Sequence, residues 1–318
     1  LQHAGTELQR QLKGEVVRDA LARIGRLPDV RVDPGEHLST SDHRTVLRCA
    51  VRDGRAGLRR RRSTEVHVLD RCLVAHPLVE QIVTEGRFPG AEEIIVRVGA
   101  RTGERMVVVS PTVGDAVVPP GVALVGADEL AGGAEVFVHE LVARRRFRIS
   151  AGSFFQARPD GAEAAVRAVG RALAPFDPVA DRLVDLYGGV GLFTAGLGAR
   201  RSVVVERSPS SVRDARVNLD ALGAEVVRAD VNHWSPIPAD AVVADPARAG
   251  LGAEGADAVA GTGATSVALV SCDAAALARD ARLLVDRGYR VQGVELVDMF
   301  PHTHHIEAVT ALRLGSAG

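Results

Sequence analysis

The stretch VDLYGGVGLFTAGL, residues 184–197, decides the fold. An apolar, strand-like run ends in Gly188, Gly189 and Gly191 and passes directly into a helix-compatible segment. Glycines at such a turn let the backbone lie close to a ligand. Glu206 follows Gly191 by 15 residues and ends the next predicted strand, where a carboxylate can accept both hydroxyls of a ribose. The stretch therefore predicts an α/β domain that binds an adenosine-containing cofactor.

The sequence on both sides of this stretch agrees with such a domain. Beyond residue 181, near-continuous apolar runs alternate with helical segments, as expected of strands that are covered on both faces. The last two runs, RVQGVELVDMF (290–300) and IEAVTALRL (306–314), are joined by a loop too short for a helix. We therefore predict a Rossmann-like, mostly parallel seven-stranded sheet with an antiparallel last strand.

The first half of the chain has a different pattern. Residues 6–26 have the apolar spacing of a helix, and short alternating runs separated by Gly, Pro and Asp follow from about residue 30 to 149. Pro175 to Pro178 form a linker after a predicted helix over 161–174. We predict a front domain over 1–150, made of a helix and mostly antiparallel strands, and the cofactor-binding domain over 151–318.

Composition restricts the compartment and the partners. The chain has 318 residues, 46% of them hydrophobic, and no apolar run reaches the length of a membrane span. Three scattered cysteines do not form a disulfide framework, which indicates a reducing, cytoplasmic compartment. Lys13 is the only lysine, and the other basic side chains are arginines. Clusters at Arg59 to Arg62 and Arg144 to Arg146 either meet phosphates or form solvated loops.

The glycine loop also bears on the type of cofactor. A dinucleotide site expects G-x-G-x-x-G, but Thr194 stands where the third glycine would be. S-adenosyl-L-methionine has no pyrophosphate and does not need that glycine. The predicted hairpin at the end of the sheet likewise favours a methyltransferase over a dehydrogenase.

Further motifs lie at predicted strand ends, and they carry a specific resemblance. ADPARAGLG (244–252), VSCDAAALARD (270–280) and DMFPHTHHIEAV (298–309) follow FFQ (154–156) and the glycine loop in this order. Together they resemble the RNA uracil-5-methyltransferase family over essentially the whole chain. The resemblance implies a class I methyltransferase domain that transfers a methyl group from S-adenosyl-L-methionine to carbon 5 of a uridine in tRNA or 23S rRNA.

The resemblance gives two residues catalytic roles that suit the chemistry. Carbon 5 of uracil is a poor nucleophile until a thiolate adds to carbon 6, and Cys272 is the cysteine at a strand end of this domain. Glu307 would remove the proton from carbon 5. The bland alternative for Cys272 is a small buried hydrophobic residue. We also expect the N-terminus of the helix after Cys272 to favour the thiolate.

The resemblance implies cofactor contacts as well. Asp245 matches an aspartate of the family's cofactor and active site, although an Asp-Pro turn that caps a helix is its structural alternative. Arg248 would orient the base or the RNA backbone. The implied cofactor-binding residues are Gln156, Tyr187, Gly189, Gly191, Glu206, Asp230 and Asp245.

The sequence departs from the family at the cofactor loop. Gly188 stands where many members have cysteine, and Leu192 where many have asparagine, so we expect one polar contact to be missing or replaced. The segment after Cys272 also lacks a proline that many members have two residues after the cysteine.

Cysteines and histidines of the chain suggest two kinds of metal site. Many family members hold a [4Fe-4S] cluster, and Cys72 resembles its fourth ligand, with the other three cysteines expected upstream of residue 1 in a longer native protein. Cys72 alone cannot complete such a site, and Cys49 is expected in the core. His302, His304 and His305 lack a matching ligand set, so zinc is not predicted.

The chemistry predicts how the substrate enters. A stacked uracil cannot expose carbon 6, so the base must be flipped out of an RNA loop. We predict a monomer that binds tRNA or 23S rRNA and no membrane. Two alternatives stay open: an RNA cytosine-5-methyltransferase, which uses the same thiolate addition, and a non-catalytic RNA-binding module in which the cofactor site has decayed.

Overall fold

The computed structural model describes residues 1–315, which form two compact units. The first unit combines residues 1–38 with the chain from Asp160 onward, and the second unit is Ser39–Pro159. The sequence predicted a boundary at residue 150, and the second unit ends at Pro159. The assignment of the first 38 residues to a front domain is wrong, because they pack within the first unit.

The helices and strands follow in chain order. Up to residue 38 the chain forms α1 (Thr6–Arg23) and β1 (Val32–Asp33). The second unit forms β2 (Val46–Arg52), β3 (Arg55–Arg59), β4 (Val66–Val68), α2 (Pro77–Glu85), β5 (Glu93–Val98), β6 (Arg105–Ser110), β7 (Val122–Gly126), α3 (Ala127–Ala131), β8 (Phe137–Val142) and β9 (Arg145–Ser150). From residue 159 the chain forms α4 (Pro159–Leu173), β10 (Arg182–Leu186), α5 (Leu192–Leu197), β11 (Arg201–Glu206), α6 (Pro209–Leu219), β12 (Glu225–Arg228), β13 (Ala241–Ala244), α7 (Gly252–Gly261), β14 (Ser266–Ser271), α8 (Ala274–Val285), β15 (Tyr289–Leu296) and β16 (Ala308–Leu314).

The first unit is built on one mostly parallel sheet. Its strand order is β1-β15-β16-β14-β13-β10-β11-β12, and β16 alone runs antiparallel to its neighbours. The predicted sheet with an antiparallel last strand is confirmed, and β1 adds an eighth, two-residue edge strand. The order reverses between β10 and β13, and open α/β sheets bind their ligands at such a switch point, outside the carboxyl ends of the strands.

The second unit contains a six-stranded sheet and a separate hairpin. The sheet order is β4-β3-β2-β5-β6-β7, antiparallel except for the β6–β7 pair, and β8 pairs with β9 alone. Its core includes Cys49, Ile82, Phe88 and Ile94, all fully buried. The mostly antiparallel prediction is therefore confirmed for this unit.

α1 belongs to the first unit because of the residues it buries. Val17 and Leu21 share one hydrophobic cluster with Leu277 and Ala281 of α8. The cluster continues onto the sheet through Val294 of β15, and β1 pairs with the same strand. A sequence pattern predicts that this helix buries one face, but it does not say against which part of the chain.

The packing of α1 can be tested with two leucines of the same helix. Leu21→Ala should lower the free energy of unfolding of the first unit by about 2–5 kcal/mol, since Leu21 is only 1% exposed. Leu8→Ala is the matched control, because Leu8 is 49% exposed. This substitution should change the free energy of unfolding by about 0.5 kcal/mol or less. Chemical denaturation measures both; equal losses would contradict the packing described.

Candidate active site

The strand register brings the two predicted catalytic residues together. The last pair of the ladder between β14 and β16 is Ser271 and Ala308, so Cys272 and Glu307 directly follow the paired residues, and the charge of Glu307 acts on the Cys272 thiol. Residues directly opposite in an antiparallel pair have Cβ atoms about 4.5–5.5 Å apart. The Val297 amide donates to the Glu307 carbonyl at 2.8 Å, which holds Glu307 from the other side as well. The thiol and the carboxylate are therefore neighbours by construction of the sheet.

Two aspartates lie on the same face of the sheet as this pair. Asp185 pairs with Val243, two residues before Asp245, so the two aspartates share a face. Ala244 pairs with Leu269, which places Asp245 beside Val270 and on the face of Cys272. Three carboxyl groups and a thiol thus line one face at the carboxyl edge.

Asp185 supports the glycine loop, and the sequence reasoning missed it. It is fully buried, and its Oδ2 accepts hydrogen bonds from the Thr194 amide at 3.2 Å and the Thr194 hydroxyl at 2.8 Å. Burial raises the pKa of Asp185 to about 6, against the lowering effect of these bonds. A carboxylate inside an otherwise apolar strand, just before the glycines, was the available signal.

The glycine loop is tied to the next strand by Glu206. Glu206 accepts a hydrogen bond from the Gly189 amide at 3.0 Å and another from the Ser208 amide at 2.6 Å. Gly189 and Gly191 have φ of 56° and 88°, the left-handed conformation that glycine adopts at little cost. A hydrogen bond therefore joins the glycine loop to Glu206, the carboxylate predicted to bind a ribose.

The carboxyl groups of Asp245 and Glu307 lack a hydrogen-bond donor in the part of the chain that the structure describes. Among residues 1–315 no hydrogen-bond donor reaches either side-chain carboxyl group. Burial and then the charge of Asp185 raise the pKa of Asp245 to about 7. Glu307 is 5% exposed, and burial together with the charge of Asp245 raises the pKa of Glu307 well above its usual value. Such groups favour a cation or a transferable proton beside them.

The thiol of Cys272 is half-buried at the end of β14. Burial and then the charges of Glu307 and Asp245 raise the pKa of Cys272, whereas the Arg248 guanidinium opposes this through its charge and a hydrogen bond. The Asp273 carboxylate accepts from the Ala275 and Ala276 amides and so caps the first turn of α8. Asp273 thus occupies the first amides of this helix, so the expected effect of its N-terminus on the thiolate stays a prediction, whereas the Arg248 guanidinium acts to lower the pKa of Cys272.

A buried carboxylate fixes the loop that carries Arg248. Asp280 is fully buried in α8 and accepts hydrogen bonds from the Leu251 amide at 2.8 Å and the Gly252 amide at 3.3 Å. Arg279 donates to the Ala249 carbonyl at 2.6 Å. α8, which follows the cysteine directly, thereby holds the segment that follows Asp245. Neither residue was predicted from the sequence, although an acidic residue on the apolar face of a predicted helix was a usable signal.

The other predicted cofactor residues are more dispersed. Tyr187 packs against the core beside the sheet edge, and burial raises the pKa of Tyr187 to about 12. Asp230 caps the 3-10 turn Val231–His233 by accepting from the Asn232 amide at 3.0 Å, and its side chain is 38% exposed. Gln156 lies in the second unit and is 7% exposed. Its role toward a cofactor stays a prediction.

The departure at Gly188 has a steric explanation. A Cβ atom at residue 188 would lie 2.4 Å from Cγ1 of Val204, a β-branched side chain that is fully buried in β11. Leu192, the other departure, is 7% exposed and begins α5. The cysteine that the resemblance leads one to expect at residue 188 therefore does not fit this loop while valine stands at 204.

The candidate metal ligands lie in two places, Cys72 in the second unit and the histidines in the loop before Glu307. Within residues 1–315 no group of three His, Cys, Asp or Glu side chains is placed to hold a metal ion. Cys72 contributes to the pKa of Cys49, which burial raises to about 12, so these two thiols are close together in the second unit. His305 contacts Arg248, with Nδ1 3.4 Å from Nη2. No described helix is long and apolar enough to cross a membrane.

The steric explanation for Gly188 can be tested with a double-mutant cycle. Gly188→Cys should lower the free energy of unfolding by about 1–3 kcal/mol, because its Cβ overlaps the Val204 side chain. Val204→Ala removes the obstructing methyl group, so the double variant should lose less than the sum of the two single losses. Chemical denaturation of the four proteins measures the coupling. Additive losses would show that Val204 is not the obstacle.

The raised pKa of Asp245 predicts how stability depends on pH. Because its pKa rises from 3.8 to about 7 on folding, its contribution to stability is lost as the pH rises through that range. Asp245→Asn should therefore be more stable than the wild type at about pH 8, by on the order of 1–3 kcal/mol, and should lose this advantage near about pH 4.

The control for this prediction is an aspartate whose pKa is shifted the other way. The Arg287 guanidinium lowers the pKa of Asp257. Asp257→Asn should therefore show no gain at about pH 8. Thermal unfolding across this pH range measures all three proteins, and an Asp245→Asn variant that tracks the wild type at every pH would contradict the assignment.

Curated relatives match the whole chain. An uncharacterized RNA methyltransferase of Streptomyces avermitilis is 35% identical over 100% of this chain and 80% of its own length. The 23S rRNA (uracil(1939)-C(5))-methyltransferase RlmD of Chromohalobacter salexigens is 30% identical over 98% of this chain and 73% of its own. No family model matches the sequence.

A solved structure shows the same fold. The tRNA (uracil-54, C5)-methyltransferase of Pyrococcus abyssi, in complex with S-adenosyl-L-homocysteine, superposes with a TM-score of 0.76. The match covers 98% of this chain and 84% of that chain at 22% identity, so it bears on the fold alone.

Proposed function

The chain belongs to the RNA uracil-5-methyltransferase family, and on that premise we propose that Cys272 and Glu307 methylate carbon 5 of a uridine in tRNA or 23S rRNA, using S-adenosyl-L-methionine. The observation that carries the proposal is the ladder between β14 and β16, whose last pair, Ser271 and Ala308, adjoins Cys272 and Glu307 at the carboxyl edge of the sheet. The reaction needs a nucleophile and a base at one base ring, and the charge of Glu307 acts on the Cys272 thiol, so the two groups are neighbours.

The residues present fit the cofactor. S-adenosyl-L-methionine supplies a methyl group on a positively charged sulfur, and the carboxyl groups of Asp245 and Glu307 lie at the edge without a partner among residues 1–315. Gly189 of the glycine loop is partly exposed, with open space where a Cβ atom would stand, and Glu206 orients the loop through the Gly189 amide. Tyr187, Asp230 and Gln156 complete the proposed set of cofactor contacts.

The chemistry of this chain begins at the thiol. Arg248 favours the thiolate of Cys272, which adds to carbon 6 of the flipped uracil and pushes an electron pair toward carbon 5. Carbon 5 takes the methyl group. The Glu307 carboxylate then removes the proton from carbon 5, the electron pair re-forms the bond between carbons 5 and 6, and the thiolate of Cys272 leaves.

The high pKa of Glu307 suits the last step. A carboxylate with an ordinary glutamate pKa would be a weak base toward the proton on carbon 5. Burial beside Asp245 raises the pKa of Glu307 and so makes its carboxylate a stronger base. The charges of the same two carboxyl groups raise the pKa of the Cys272 thiol. A cation near them would lower that pKa again and so favour the thiolate. We propose that cofactor binding and thiol activation are linked in this way.

The remaining features of the proposal concern setting. We place the enzyme in the cytoplasm, as a monomer on RNA. Cys72 would be the fourth ligand of a [4Fe-4S] cluster in a longer chain; with Cys49 as its neighbouring thiol it does not make a four-thiolate site, so the mechanism uses neither cysteine.

Two substitutions separate the two catalytic roles. Cys272→Ala should abolish methyl transfer, because no other group can add to carbon 6. Glu307→Gln should form the covalent RNA adduct but release it slowly, so a denaturant-resistant protein–RNA band should accumulate. Labelled cofactor, unmodified tRNA and 23S rRNA transcripts and nucleoside analysis measure the product and distinguish 5-methyluridine from 5-methylcytidine.

An exposed carboxylate offers a control for both variants. Asp257→Asn changes a carboxylate remote from the sheet edge and should leave turnover at the wild-type level. An active Cys272→Ala enzyme would overturn the nucleophile assignment. A Glu307→Gln enzyme that turns over normally would overturn the base assignment.

A further inference from the structure

The only lysine of the chain is buried against the loop that leads to Glu307. Lys13 is 5% exposed, and its Nζ donates to Asp298 Oδ1 at 2.6 Å and to the Phe300 carbonyl at 2.8 Å. Both acceptors lie in the segment between β15 and β16. Burying an ammonium group costs free energy, which this ion pair and second hydrogen bond offset.

A second side chain of α1 holds the same loop one helical turn earlier. Gln9 is 1% exposed, and its Oε1 accepts from the His302 amide at 2.7 Å. Its Nε2 donates to the Ala4 carbonyl at 2.8 Å, which fixes the orientation of the amide. His302 has φ of 66°, a left-handed conformation that is uncommon for a residue with a side chain and needs such support.

Polar and apolar contacts both act on this loop. Met299 is 3% exposed, and Ile306 belongs to the hydrophobic cluster that α1 and α8 form. A cavity of about 10 Å³, enough for about one water molecule, lies between α1 and the strand ends and is lined by Lys13, Leu296 and Glu307, among others. The hydrogen bonds of Lys13 and Gln9 therefore hold residues 298–302 beside a small unfilled space that Glu307 also lines.

We propose that Lys13 and Gln9 are positioning residues that set where Glu307 stands relative to Cys272, and that they act on the release of the methylated RNA. This inference rests on the proposed function. The hydrogen bonds of Lys13 go to the loop before Glu307 and not to β14 or α8, which flank Cys272, so addition of the thiolate to carbon 6 should depend on it less. Glu307 ends the held loop, so breaking of the C5–H and C6–S bonds should depend on it more.

The test compares adduct formation with turnover. In Lys13→Met, turnover of unmodified tRNA and 23S rRNA transcripts should fall about 10- to 100-fold, as expected when a reacting group is displaced by about 1 Å. The fraction of enzyme trapped as covalent RNA adduct should rise over the wild type, and affinity for S-adenosyl-L-homocysteine should stay unchanged. A merely structural role would lower adduct and product together.

Arg18→Met is the matched control, because Arg18 is an exposed cation on the same helix. It should match the wild type in turnover and in adduct fraction. Gln9→Leu removes the contact to His302 without leaving a charge unpaired, and it should shift adduct and turnover in the direction of Lys13→Met.

A second variant covers the case in which Lys13→Met does not fold. Loss of Lys13 leaves Asp298, only 11% exposed in its side chain, without its cation. Lys13→Met/Asp298→Leu removes both charges and should restore folding while adduct still accumulates. Normal turnover in a folded variant, or adduct and product that fall in parallel, would overturn the inference. A wild type that makes no 5-methyluridine, or an active Cys272→Ala enzyme, would instead overturn the proposed function on which it rests.

Discussion

The site depends on how β16 is inserted between β14 and β15. An antiparallel strand between two parallel ones is held by hydrogen bonds on both edges, so its register cannot slip without breaking both ladders. That register pairs Ala308 with Ser271, the residues next to Glu307 and Cys272, and a slip by one residue would turn the Glu307 side chain to the other face. The sheet therefore sets the face on which the proposed base lies, and the loop before β16 acts on its position within that face.

The same edge concentrates groups that oppose folding. Asp185, Asp245 and Glu307 are all more easily protonated than free carboxyl groups, so charging them costs free energy at neutral pH. Hydrogen-bonded carboxylates stand beside these groups: Asp280 holds the loop after Asp245, and Glu206 holds the glycine loop. Residues with satisfied hydrogen bonds thus support neighbours whose bonds are left for ligands.

Much of this could be predicted from the sequence, since motifs at strand ends report chemistry directly. The sheet and the glycine loop followed from order and spacing, and the roles of Cys272 and Glu307 from the family resemblance, whereas the neighbourhood of each residue did not. Asp185 was missed because a carboxylate within an apolar strand does not tell which group it supports, and Asp280 because its partners, the Leu251 and Gly252 amides, lie 29 and 28 residues away. The action of Arg248 on the thiol was not predicted, since it depends on the path of the loop after Asp245. The steric demand of Val204 on Gly188 depends on a contact between strands that no local pattern encodes.

The first unit is discontinuous in the chain, and this has a consequence for synthesis. Val17 and Leu21 bury themselves against Leu277 and Ala281, which leave the ribosome about 260 residues later. At about 5–20 residues per second, α1 waits roughly 13–50 s for its partner helix, while residues 39–159 are complete much earlier. The apolar residues of α1 therefore stay without their partners until most of the sheet has been synthesised, and they can bind other apolar surfaces in that time. Translation speed and chaperone access thus bear on how much active enzyme a cell obtains.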